Sequence, residues 1–190
     1  IPRPETELLV EVVLGRVAAI AKPHILDLGT GSGAIALALA RARPDACVYA
    51  TDVCDQAIAV AQRNAKSHGL SIEFGVGDWF DALPDPPPLF DLIVSNPPYI
   101  RPDDTHLSQG DLRFEPRHAL TEGVDGLSAY RTLASACGAF LVPGGWLCVE
   151  HGFDQAEAVT DIFLEAGLRN VETKMDLAGH PRVTTGSYNR

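Results

Sequence analysis

The residues of this chain best suited to chemistry are Asn96-Pro97-Pro98-Tyr99, which follow directly on the apolar run Phe90-Asp91-Leu92-Ile93-Val94-Ser95. A strand ending in a side-chain amide, two prolines and an aromatic ring makes a rigid clamp for a flat, neutral NH2 group. Such a nitrogen shares its lone pair with a neighbouring carbonyl, so it attacks an activated methyl group only when that lone pair is steered. The Asn96 side-chain oxygen and the Pro97 carbonyl can each accept a hydrogen bond from the NH2 and turn its lone pair toward the methyl as the nitrogen pyramidalises. The prolines hold these acceptors in place beforehand, which lowers the cost of aligning them in the transition state. Tyr99 can stack on the planar face of the target, a positioning effect drawn from the roughly 7–11 kcal/mol that orientation offers. Asn96, Pro97 and Tyr99 are the expected catalytic residues, and Asn96, Pro97, Pro98 and Tyr99 the expected substrate grip. The plainer alternative is an Asn-Pro turn closing a strand beside a packed tyrosine.

A second group lies upstream. Asp27-Leu28-Gly29-Thr30-Gly31-Ser32-Gly33 leads from a strand into a helix, and its glycines let the backbone pass close to a ligand and present free N–H groups. A dinucleotide fingerprint reads G-x-G-x-x-G; here the third glycine comes one residue early and Ala34 stands in the final place. Asp52 follows Gly33 by 19 residues at the end of the next strand, where a carboxylate can accept both hydroxyls of a ribose. NAD and S-adenosylmethionine both present such a ribose. Asp78-Trp79-Phe80 adds an acceptor for an exocyclic amine beside two aromatic surfaces that could cover a purine or pack in the core.

The surrounding pattern supplies the elements that would position these groups. It predicts an amphipathic helix over about residues 5–21, with Leu8, Leu9, Val12, Val13 and Val17 on its apolar side. Strands are expected at 24–28, 47–51, 72–76, 90–95 and 146–150, with two more near Val171 and Val183. Helices are expected from the glycine loop to about Arg43, over 56–68 with Asp55 as cap and Gly69 as stop, over about 127–140, and over 154–166. Residues 143–145, Pro-Gly-Gly, are read as a turn into the strand at Trp146. About 25 residues after Tyr99 lack clean periodicity, which suggests a functional loop over Arg101 to Gly126. Alternation of this kind implies an α/β fold, a mostly parallel sheet with helices on both faces and its ligand site beyond the carboxyl ends of the strands. Gly29, Asp52, Asp78 and Asn96 all fall just past strand ends, so they are expected to converge on one crevice.

Composition narrows the partner classes. The 190 residues are 46% hydrophobic, enough for one domain with a real core. No apolar run of membrane-spanning length and no basic-then-apolar leader occurs, so a cytoplasmic protein without a membrane partner is expected. The net charge is -10 and the basic residues are scattered, which disfavours direct nucleic-acid binding and favours a protein or small-molecule substrate. Cys47, Cys54, Cys137 and Cys148 form no C-x-x-C pair, so no metal site is expected and the thiols are read as reduced.

Taken together these motifs resemble the HemK/PrmC family of protein N5-glutamine methyltransferases. The likeness also covers Pro2-Arg3-Pro4-Glu5-Thr6-Glu7, Gln109-Gly110-Asp111-Leu112-Arg113-Phe114-Glu115-Pro116 and Glu150-His151-Gly152. The resemblance implies a class I S-adenosylmethionine-dependent methyltransferase fold, Rossmann-like, with an antiparallel C-terminal strand. It further implies that Gly29, Thr30, Gly31, Ser32, Gly33, Asp52, Trp79 and Asn96 contact S-adenosyl-L-methionine, and that Asn96 to Tyr99 hold a substrate glutamine. The implied substrate is the Gly-Gly-Gln glutamine of class 1 peptide release factors; a sibling group modifies a ribosomal protein, and Arg113 to Pro116 look closer to the release-factor branch. Members carry a small helical domain before the Pro-Arg-Pro segment, so residues 1–190 are expected to be the catalytic domain without it. Glu150 and His151 are expected to serve hydrogen bonding more than catalysis.

Three rival functions share some of these features. The same clamp fits the exocyclic amine of adenine in nucleic acid, although no basic groove accompanies it. The glycine loop and Asp52 suit an NAD-dependent oxidoreductase, but the glycine spacing opposes that reading. A catalytically silent binding module would keep the fold without needing the intact tetrapeptide.

Overall fold

The computed structural model describes residues 4–98 and 125–189. Tyr99, most of the Arg101 to Gly126 loop, the Gln109 to Pro116 motif and the Pro2-Arg3 start lie outside the described residues.

The chain runs α1 (Pro4–Arg16), β1 (His24–Leu28), α2 (Ala34–Ala42), β2 (Cys47–Asp52), α3 (Asp55–His68), β3 (Glu73–Val76) and β4 (Phe90–Ser95), with a 3-10 turn at Trp79–Ala82. It continues through α4 (Ser128–Ala136), β5 (Leu141–Glu150), α5 (Ala156–Glu165), β6 (Arg169–Met175) and β7 (Pro181–Ser187). The seven strands form one sheet in the order β3-β2-β1-β4-β5-β7-β6. β7 is antiparallel to both of its neighbours, whereas the pairs among β1 to β5 are parallel. This is the expected α/β sheet with an antiparallel strand near its C-terminal edge.

Strands buried on both faces read as continuous apolar runs, and β4 with Leu92, Ile93 and Val94 wholly buried is the clearest case. Leu26, Leu28, Ile93, Leu147 and Val149 meet Tyr130 and Leu133 of α4 and Phe163 of α5 on one face. Ile25, Leu92, Val94 and Cys148 meet Leu9, Val13 and Val17 of the N-terminal region on the other. Burial pushes the Cys148 thiol up to about 12, and Cys137 likewise, so both behave as small apolar side chains.

Several boundaries differ from the sequence pattern for identifiable reasons. α1 stops at Arg16 rather than near Ala21, because the Arg43 guanidinium donates to the Val17 and Ile20 carbonyls at 2.8 and 2.7 Å and gives the chain a non-helical exit. The N-cap of α3 is Cys54, with no side-chain cap bond, so Asp55 sits inside the first turn, where its charge suits the helix dipole. Gly69 does end α3 in a left-handed conformation, φ 64°. The Pro-Gly-Gly segment lies within β5 instead of preceding it: the register jumps from Phe90↔Leu141 to Leu92↔Trp146, and Tyr188 exchanges backbone hydrogen bonds with Gly144 and Gly145 at 2.7 Å.

Among the described residues no helix is long and apolar enough to cross a membrane, and no group of three or more His, Cys, Asp or Glu could hold a metal ion. α1 packs onto β5, and its Leu9 is wholly buried in the cluster that includes Cys148 of β5. Leu9→Ala should lower unfolding stability by about 2–5 kcal/mol in urea titrations, through lost transfer energy and the cavity left behind.

Candidate functional site

The ladders bring the strand ends to one level. Leu28 pairs with Thr51 on one side and Ser95 on the other, and Ser95 pairs with Val149. One residue further along, Asp52, Gly29, Asn96 and Glu150 stand in a row across β2, β1, β4 and β5. Strand spacing sets about 5 Å between neighbours in this row and about 10 Å between Asp52 and Asn96. The buried Ser95 hydroxyl donates to the Leu28 carbonyl at 2.7 Å and fixes the exit of β4 against β1.

Gly29, Gly31 and Gly33 adopt φ values of 71°, 56° and 89°, a conformation that side chains with a Cβ rarely take, so the loop depends on glycine at these places. The Gly29 and Thr30 amides both donate to the Thr51 carbonyl at 2.9 Å. Asp52 closes the loop from the second strand: its Oδ2 accepts from the Gly31 amide at 2.8 Å and its Oδ1 from the Cys54 amide at 2.9 Å. A carboxylate oxygen has two acceptor directions, so each Asp52 oxygen keeps one for a ligand, enough for the two hydroxyls of a ribose. A side chain at Gly31 would point into open space, with nothing within 4 Å, and one at Gly33 would press on Ala61 of α3 at 3.1 Å. The first leaves room beside the loop and the second lets α2 and α3 pack closely.

Asp27 is wholly buried in β1. Its Oδ2 accepts from the Thr30 hydroxyl at 2.6 Å and the Ala36 amide at 3.1 Å, while Oδ1 has no partner among the described residues. Burial raises its carboxyl to about 7 against the two hydrogen bonds, and the charge of Asp52 adds to the rise. Trp79 takes a left-handed backbone, φ 43°, and its indole lies 3.9 Å from where a Gly29 side chain would begin. Phe80 turns the other way and stacks on Phe140, with centroids 4.3 Å apart and planes at 6°, so of the two aromatic residues only Trp79 faces the loop. Asn96 and Pro98 are half-buried, Pro97 is buried, and the Asn96 amide has no hydrogen bond among the described residues.

Known proteins can be set beside this geometry. The methyltransferase small domain model matches residues 4–123. A release factor glutamine methyltransferase of Bordetella pertussis is 52% identical over 186 residues, covering 98% of this chain and 68% of the relative. One from Xylella fastidiosa is 54% identical over 187 residues, covering 98% and 67%. The chain belongs to the release factor glutamine methyltransferase family. Among solved structures, a release factor-specific protein-(glutamine-N5) methyltransferase of Alicyclobacillus acidocaldarius is 29% identical with a TM-score of 0.61, covering 100% of this chain and 95% of that one. A Thermus thermophilus 16S rRNA methyltransferase, 21% identical with a TM-score of 0.71 over 100% of this chain and 44% of that one, shares the fold. The fold is that of the class I S-adenosylmethionine-dependent methyltransferases, and the enzyme is a methyltransferase with S-adenosyl-L-methionine as its cofactor.

Within this family member the structure gathers Gly29, Thr30, Gly31, Asp52, Trp79, Asn96, Pro97 and Pro98 at one sheet edge, with Ser32 and Gly33 leading away into α2. Sequence reasoning left out Asp27, although a charged residue inside the run Ile25-Leu26-Asp27-Leu28 breaks the pattern of a buried parallel strand and signals a special role. Glu150 accepts from the Thr6 hydroxyl at 3.2 Å, which ties the start of α1 to this edge. His151 is buried, and burial holds its imidazole below the usual histidine range: its Nδ1 donates to the Gly152 carbonyl and its Nε2 is hydrogen-bonded with the Thr184 hydroxyl, both at 2.9 Å. With both nitrogens engaged, the ring serves as a structural link between β5 and β7.

The raised Asp27 carboxyl has a direct thermodynamic consequence. Its folded value, about 7, exceeds its ordinary value of 3.8, so the stability it contributes is full below about pH 4 and is lost as pH rises through 7. Asp27→Asn keeps the acceptor for Thr30 and Ala36 without the charge. In denaturation series on unliganded protein, this variant should gain on the wild type as pH climbs from about 4 to about 7 and run parallel to it above.

Proposed function

We propose that this chain transfers a methyl group from S-adenosyl-L-methionine to the side-chain amide nitrogen of the glutamine in the Gly-Gly-Gln motif of class 1 peptide release factors, in the cytoplasm where translation terminates. The observation that carries the reading is the Asn96 amide, free of intramolecular hydrogen bonds among the described residues and held at the exit of β4 level with the glycine loop. Relatives about half identical over nearly the whole chain are named release factor glutamine methyltransferases, which supports this reading. A net charge of -10 suits a protein substrate better than a phosphate backbone.

The residues at the strand ends fit the cofactor. Asp52 would receive the ribose hydroxyls on its two remaining acceptor directions, and the indole of Trp79 offers a flat face to the adenine. The Gly29 to Gly33 backbone passes the ligand closely. Oδ1 of Asp27, without a partner among the described residues, is a buried carboxylate oxygen suited to a cationic group. When bound, S-adenosylmethionine supplies a methyl group made electrophilic by its sulfonium.

On the substrate side, the Asn96 side-chain oxygen and the Pro97 carbonyl accept hydrogen bonds from the glutamine NH2. They orient its lone pair toward the methyl group and stabilise the nitrogen as it loses planarity. Pro97 and Pro98 remove backbone freedom from these acceptors, and Tyr99 is assigned the stacking role on the amide plane. A strong base is not needed: the sulfonium departs as a neutral thioether, the acceptors polarise the N–H bonds, and the methylated amide nitrogen gives up one proton to solvent.

Two measurements test this reading. Mass spectrometry of a release factor incubated with the chain and labelled cofactor should show one added methyl on the Gly-Gly-Gln glutamine; methylation elsewhere, or only on nucleic acid, contradicts it. Asn96→Ala should lower transfer by about 10²-fold or more while calorimetry shows cofactor binding largely intact, and near-normal turnover would remove the role assigned to Asn96.

A further inference from the structure

The connection between β6 and β7 is held by its own hydrogen bonds yet leaves apolar side chains exposed. Asp176 organises the turn: its backbone N–H donates to the His180 carbonyl at 2.8 Å, and its Oδ1 accepts from the Ala178 and His180 amides at 2.9 Å. Its Oδ2 accepts from Arg182 Nε at 3.1 Å. These bonds hold its carboxyl below the usual carboxylate range, led by the His180 amide. The turn nevertheless presents Leu177 fully exposed, with Met175 at 63% just before it. Phe153, on the connection from β5 to α5, is 60% exposed and its ring lies 6.0 Å from that of His180. None of these three side chains belongs to the core clusters, and together they make the rim of this end of the sheet apolar in character.

Its place in the sheet gives the rim a purpose. Val183 pairs with Glu150, the residue level with Asn96, so the antiparallel β7 carries Pro181 about 7 Å beyond that level and the turn further still. Laterally β7 stands two strands from β4 and β6 three, about 10 and 14 Å from Asn96. A folded protein docking with about 800 Å² of its surface covers a disc of about 16 Å radius. A protein whose glutamine is seated beside Asn96 therefore reaches this rim. On the opposite flank the ends of β1 and β2 carry the glycine loop and Asp52, assigned to the cofactor, which directs the protein's bulk toward β5, β7 and β6.

We propose that the β6–β7 turn with Leu177 and Met175, together with Phe153, is a docking surface for the folded protein that carries the target glutamine. This rests on the protein-glutamine reading of the site. Because the turn is already fixed by its own hydrogen bonds, binding there requires little further ordering of the chain.

Steady-state transfer to an intact class 1 release factor tests the surface. Leu177→Ser removes an exposed side chain, and it should raise KM for the release factor about tenfold, with kcat at saturation and the cofactor Kd by calorimetry unchanged. Phe153→Ser should act in the same direction, and Leu177→Met should restore KM. An unchanged KM in both serine variants overturns the proposal. So does a joint fall in kcat and cofactor affinity, which would mark structural damage. A dimer in sedimentation that Leu177→Ser splits without changing KM would assign the surface to a second copy of the chain and also overturn it. Failure of the functional reading is distinct: the wild-type chain would then transfer no methyl group to the release factor at all.

Discussion

The parallel register across β2, β1, β4 and β5 is the constraint on which the rest depends. Leu28 is locked between Thr51 and Ser95, and Ser95 is locked to Val149, so the four chains leave the sheet at the same height. A slip of one residue would carry every side chain of a strand to the opposite face and exchange buried Leu92 and Val94 for their neighbours. The core thus sets the height of the site through packing energy. The irregularity that β4 and β5 do contain lies at Phe90 and Leu92, at the far end of the pair, and leaves the site end regular.

Two carboxylates translate that level row into a shaped loop. Asp52 binds the Gly31 and Cys54 amides, and Asp27 binds the Thr30 hydroxyl and the Ala36 amide. Each connects the glycine loop to a strand or helix of the core. Asp52 stays partly exposed, whereas Asp27 is wholly buried, and desolvation brings the latter near neutrality. Among the described residues one oxygen of Asp27 has no partner, an arrangement costly to the unliganded fold that a cationic ligand would relieve.

The sequence made much of this legible because local chemistry and global fold agree along most of the chain. β1 and β4 fall at the expected residues, since short apolar runs bounded by turn residues in an alternating chain have few other solutions. The glycine loop, Asp52 and Asn96-Pro97-Pro98 reach one edge because each follows a strand of the same parallel sheet. What escaped depended on contacts distant in sequence. The early end of α1 is set by Arg43, 26 residues from Val17, and the inclusion of Pro143-Gly144-Gly145 in β5 depends on pairing with Tyr188. Phe80 and Trp79 are adjacent and chemically alike, and only the position of Phe140 separates a core ring from one that faces the loop. Asp27 is an anomaly in an apolar strand, but which partners its oxygens find is a property of the folded state.

The most direct test of the account is a crystal structure of this chain with S-adenosylhomocysteine and a Gly-Gly-Gln segment bound. The glutamine amide nitrogen should lie within about 3 Å of both the Asn96 side-chain oxygen and the Pro97 carbonyl. A glutamine seated elsewhere on the sheet edge, with the Asn96 amide turned away from it, would contradict the account.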